Sequence, residues 1–286
     1  MPEILSIKVN CRVKYLYSFF ISMILFGCSL THPGAQYRKL SLEEKKQVDT
    51  LLLSALDHEA LYTLLDTIKP ISSVKMVRYP IAPDNAHQLG TVSPIKNLLQ
   101  VDSLDRYYLL SNKLSGSKVE FVMIPYKAAD KENRNVQLYV VRKAILQKII
   151  AEKADFFGQF GITKNTPAHG VISIIEHAHA YNRWRGYGYL FGYPDHAVDF
   201  FVRAGITQDS TGKFVERKFF SMPVFAGTKG YFTYALPENY MPNSIDSAIY
   251  QQVNTKLKKY KQDREKWVGK NKMKTRKILR EIERNK

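Results

Sequence analysis

Only one stretch of this chain is continuously apolar, and it is short. Tyr15 to Phe26 runs twelve residues without a charge, mostly aromatic and aliphatic. A helix needs about 20 such residues to cross a bilayer, so this run does not span one. Everything after it mixes polar and apolar residues, so the rest of the chain must fold its apolar faces inward. Hydrophobic residues make up 45% of the 286, enough for a sizeable core and too many for a chain disordered by composition.

The run sits in a recognisable frame. Lys8, Arg12 and Lys14 precede it, Gly27 ends it and Cys28 follows. A positive segment before an apolar stretch of about 7–15 residues is the layout of a secretory signal peptide. Leu25-Phe26-Gly27-Cys28 resembles the lipobox of bacterial lipoproteins, with Phe26 larger than the residue usual at its place. The resemblance implies cleavage before Cys28, lipidation of Cys28 and export. Ser29, which is not Asp, implies an outer-membrane address facing the periplasm. An uncleaved signal anchor is the alternative. The resemblance covers residues 1–28 only and is silent on the mature domain. Cys11 and Cys28 are the two cysteines, so a cleaved chain has no intramolecular disulfide, and a lipidated Cys28 leaves no thiol for catalysis.

The organisation expected is a signal peptide over 1–27, a tether over 28–40, an α+β globular domain over 41–242 and a basic C-terminal helix or tail over 243–286. Pro33-Gly34 reads as a breaker that keeps the tether flexible. Ser41 with Glu44 three residues later forms a capping box and predicts a helix, with a second short one over 57–67. Strands are expected over 74–79 and 118–126, and a helix over 103–114. Apolar residues from Val140 to Phe157 predict one long helix over 136–157. Thr166-Pro167 opens another, and Asp195 a third that Gly205 ends. The glycine-rich aromatic run from Tyr181 to Pro194 reads as irregular. Two strands follow, joined by a hairpin turn at 226–230. Asn243-Ser244 caps a last helix running to about Glu283, on the order of 60 Å long. The fold class is α+β: a mainly helical single domain with a few short antiparallel strands and a long basic C-terminal helix.

Net charge is +17, and residues 256–286 hold 14 Lys/Arg against 4 Asp/Glu. Such a tail suits anionic lipid or an envelope polyanion; a solvated, partly frayed tail is the plain alternative. Nucleic acid would also attract it by counterion release, but export makes that partner a poor one.

Two groups of residues invite a functional reading. Glu176, His179, His196 and Asp199 are the residue types of acid–base and metal chemistry. Helical spacing lets Glu176 share a face with His179, and His196 with Asp199, so a catalytic site forms if the two helices face each other. The metal question and any cofactor stay open. The second group is Trp184, Arg185, Tyr187 and Tyr189, whose aromatic faces and guanidinium suit ligand binding; the alternative is a core segment. No Gly-x-Ser-x-Gly motif and no phosphate loop is present. The expectation is a non-catalytic envelope lipoprotein that binds a ligand or partner. The alternative is an envelope hydrolase using a His/carboxylate site around 169–199.

Overall fold

The computed structural model describes residues 33–80, 94–127, 133–269 and 273–284. The expected signal peptide and Cys28 lie outside the described residues. Among those described, no helix is long and apolar enough to cross a membrane.

Three helices open the fold: α1 (Pro33–Arg38), α2 (Leu42–Asp57) and α3 (Leu61–Leu64). The Ser41/Glu44 capping box forms, Glu44 N–H donating to Ser41 Oγ at 3.2 Å and Ser41 N–H to Glu44 Oε2 at 2.8 Å. The segment expected to be a flexible tether is helical from Pro33, and Pro33 and Gly34 are buried. Proline in a first turn removes no hydrogen bond the helix needs, so the breaker is a start signal here. The expected second helix shrinks to the four residues of α3.

A three-stranded antiparallel sheet follows, in the order β1 (Ile71–Pro80), β3 (Asn133–Arg142), β2 (Val119–Pro125), with α4 (Pro94–Leu114) between β1 and β2. The central strand corrects the expected long helix over 136–157. Val136, Leu138 and Val140 join a core on one face of the sheet, and Tyr139 and Val141 join a core on the other. A strand buried on both faces shows no polar alternation and imitates a buried helix. The helical part begins only at α5 (Lys143–Glu152) and α6 (Ala154–Gly158). At the strand's end the buried Arg142 turns inward, its Nε donating to Thr63 O at 2.7 Å, so it satisfies a carbonyl at the end of α3.

The second core gathers α5, α6, α7 (Ala168–His177), α8 (Ala180–Leu190) and α9 (Asp195–Thr211) against that sheet. The aromatic run expected to be irregular is α8. Its glycines stand where neighbours cross closely: a Cβ on Gly186 would lie 2.6 Å from Ile175, and one on Gly188 2.7 Å from Val198. Helix α9 runs past Gly205 and ends at Gly212, whose φ of 69° is the left-handed cap that glycine favours.

The hairpin β4 (Arg217–Val224) and β5 (Gly227–Pro237) turns through Phe225 and Ala226, tighter than the expected loop. Asn243 and Asp246 then form a second capping box for α10 (Ser244–Trp267), and α11 (Thr275–Arg284) folds back. The single helix expected from 243 to about 283 is therefore two helices. Trp267, Ile278, Leu279 and Ile282 are all buried in the first core. Arg264 grips Asp57 with two hydrogen bonds, 2.7 and 2.9 Å, and Tyr260 adds a third at 2.6 Å. Of the described residues, helix accounts for 58% and strand for 19%, an α+β, mainly helical single domain.

Candidate functional site

Helices α8 and α9 meet the β4–β5 hairpin around a cavity of about 280 Å³. Trp184, Tyr187 and Phe191 come from the α8 stretch, Val198 and Phe201 from α9, and Phe219 and Tyr234 from the hairpin. Each has a local reason to be there. Residues 184, 187 and 191 lie three and four apart on α8, hence on one face. Trp184 reaches the cavity across Gly205, where a Cβ would lie 2.3 Å from the indole. Phe201 meets the indole edge-on at 5.7 Å. Phe219 is 64% exposed, so the cavity opens to solvent beside it.

The polar groups of this wall are mostly taken. Tyr187 donates to Glu176 Oε2 at 2.8 Å, and Thr233 donates to Ser221 at 2.9 Å. The Tyr193 hydroxyl has no hydrogen-bond partner among the described residues, and burial raises its pKa, with Glu59 pushing the same way. Its hydroxyl stays protonated and able to donate.

Below Tyr193 lies a buried ion pair. Lys69, fully buried, meets Glu59, 6% exposed, inside a box of rings: Phe232 at 4.5 Å, Phe191 at 5.0 Å and Tyr193 at 6.0 Å. Burial lowers the Lys69 pKa, and Glu59 opposes the shift. Gly192, at φ 76°, lets the chain pass this segment; a Cβ there would lie 2.8 Å from Ile68 O.

The four His/carboxylate residues keep separate company. Glu176 accepts the Lys127 N–H at 2.9 Å as well as Tyr187, with Arg183 at 3.8 Å. His179 precedes α8 and packs edge-on against Tyr181 at 5.1 Å. Asp199 pairs with Arg185. His196 Nε2 lies 3.0 Å from Asp246 Oδ1. Among the described residues, none of the four hydrogen-bonds or ion-pairs with another of the four, and no group of three or more His, Cys, Asp or Glu could hold a metal ion.

Asp246 is the residue that spacing did not reveal. It is fully buried and also accepts Tyr234 at 2.5 Å, Tyr240 at 3.2 Å and the Asn243 N–H at 2.9 Å. Burial pushes its pKa up, but the bonds from Tyr234 and Asn243 and the nearby His196 outweigh burial and hold it below the ordinary value. The His196 ring stacks on Tyr240 at 5.4 Å. Of the aromatic group, Trp184 and Tyr187 line the cavity. Arg185 is turned to Asp199 and donates to Tyr189 at 3.1 Å, and Tyr189 is buried against Phe156, rings 5.4 Å apart.

No protein-family profile, curated protein or solved structure matches the chain.

Proposed function

We propose that the chain is a lipid-anchored envelope protein, exported and held on the outer membrane facing the periplasm through Cys28, whose mature domain binds a small apolar ligand without transforming it. The observation that carries this reading is the solvent-open cavity walled by Trp184, Tyr187, Phe191 and Phe201. An apolar cavity of about 150 Å³ accepts benzene, so about 280 Å³ suits a ligand of one or two rings. Tyr193 supplies a hydroxyl to orient it. Apolar pockets with a few placed polar groups are the usual form of small-molecule sites.

Trp184 reports on the cavity, whereas Trp267 is buried in the other core. Titration of the purified chain with naphthalene, indole and N-phenyl-1-naphthylamine should quench Trp184 emission saturably. Phe201→Ala should weaken that binding, and Trp184→Phe should remove the signal. Absence of saturable binding for all three compounds overturns the reading. Palmitate labelling that survives Cys28→Ser would overturn the anchor.

One observation favours the hydrolase alternative: buried Asp246 holds the partly exposed His196, as a general base needs an orienting carboxylate. In that reading Asp246, and not Asp199, is the carboxylate beside His196. Hydrolysis of naphthyl acetate lost in His196→Ala would support it, and no turnover above the uncatalysed rate would remove it.

A further inference from the structure

A second concavity lies on α1, α2 and the start of α11, and its lining is cationic. Arg38, Lys45, Lys274 and Arg276 surround a cleft of about 450 Å³. None of the four has a carboxylate within ion-pair distance among the described residues. Tyr37 and Thr275 also line it. Both hydroxyls donate to Asp49 Oδ1, Tyr37 at 2.8 Å, and no carboxylate is among the described residues that line the cleft.

The cleft is held in shape from beneath. Val268 bridges to Met273, and Lys274 N–H donates to Trp267 O at 2.8 Å. Thr275 is buried, and the α11 residues that follow are anchored by Ile278 and Ile282. The cations therefore gather around a fixed floor instead of lying scattered on a frayed tail. Holding four like charges around one hollow without partners costs free energy in the empty protein, and a polyvalent anion relieves it. Arginine and lysine together match phosphate oxygens, arginine by its planar fork and lysine as a point charge.

We propose that this cleft binds the phosphate of an anionic phospholipid headgroup. The choice of a lipid rests on the anchor assigned under Proposed function. Helix α1 starts five residues after Cys28, a span of at most about 18 Å, so an anchored chain carries the cleft beside the bilayer surface. Met273 and Tyr37 offer apolar surface in the same lining, where the glycerol of a headgroup can rest. The cleft then fixes how the domain sits on its membrane, which a lipid on a single cysteine does not.

The test uses the full chain in phosphatidylcholine nanodiscs, titrated with inorganic pyrophosphate by calorimetry, and then repeated with phosphatidylglycerol in the disc. Pyrophosphate should bind the chain in neutral discs. Arg38→Gln and Arg276→Gln should each weaken it roughly tenfold, the loss of one charge-assisted contact, while Lys261→Gln should not. Phosphatidylglycerol should compete. Binding that follows the variants but ignores phosphatidylglycerol overturns the headgroup assignment in favour of a soluble phosphorylated ligand. Absence of pyrophosphate binding, or binding unaffected by both variants, overturns the site. If the chain does not remain with the discs, the anchor fails instead, and the same titration on the free chain still tests the cleft.

Discussion

Replacing Lys69 by methionine leaves the Glu59 carboxylate buried with the Ser73 N–H, 3.0 Å away, as its remaining donor. Removing one member of a buried pair costs about 3–5 kcal/mol, because the other charge stays out of water uncompensated. The lysine also sits 4.5–6.0 Å from three ring centres, an interaction worth about 2 kcal/mol when desolvated. Methionine returns about 0.3–1.5 kcal/mol of that through sulfur–ring contacts. Lys69→Met should therefore lose about 3.5–6.5 kcal/mol in urea unfolding at pH 7, followed by far-UV circular dichroism and tryptophan emission. The decisive comparison is Lys69→Met/Glu59→Gln. The amide oxygen still accepts from Ser73, no charge is left, and replacing both members of a buried pair is often neutral, so the double variant should fall within about 1 kcal/mol of the parent. A single variant that loses less than about 1 kcal/mol, or a double variant that loses the sum of the two singles, refutes the reasoning.

Three further outcomes follow from the packing. Gly205→Ala gains about 1 kcal/mol of helix propensity but drives a Cβ to 2.3 Å from Trp184, overpacking that costs about 1–3 kcal/mol; thermal unfolding should show no gain, whereas in a Trp184→Leu background the same change should stabilise. Glu44 is lowered from the ordinary 4.5 to about 2, first by its bond to Lys113 and then by the cap bonds with Ser41. Its contribution is thus complete above pH 4.5 and lost as pH falls towards 2, and an acid series should show Glu44→Gln flatter than the parent across that window. Deleting residues 268–286 removes buried Ile278, Leu279 and Ile282, about 1.5–3 kcal/mol each against a typical total of about 5–15 kcal/mol; circular dichroism and proteolysis should show a chain that no longer folds tightly, while Lys258→Gln or Lys261→Gln on exposed positions should change little.

What could be read along the chain was whatever is local. Both ends that begin with a cap, Ser41 with Glu44 and Asn243 ahead of α10, are visible because the residues that satisfy the first N–H groups are neighbours in sequence. Strand β3 was hidden because Leu138 and Tyr139 face different cores, and two-sided burial erases the period. Helix α8 was hidden because Gly186 and Gly188 look like loop signals until Ile175 and Val198 are seen pressing on them. His196 stood out by type, but its partner Asp246 lies 50 residues on. The pairing of Lys69 with Glu59 inside rings drawn from 191 to 232 likewise depends on the fold. The tail was misjudged for a related reason: Trp267 on α10 and Ile278, Leu279 and Ile282 on α11 are sparse among charges, yet all four are buried.

Helices α1 and α11 pack on one another, and Glu283 accepts hydrogen bonds from the Ser117 backbone and hydroxyl. A chain emerging from its N-terminal side therefore cannot cover the apolar surface of its first helices until residues near 283 have arrived. Contacts spanning so much sequence delay folding and leave early segments exposed in the meantime. Under the export proposed above, that delay is useful: a chain that cannot close early stays threadable until translocation is nearly finished.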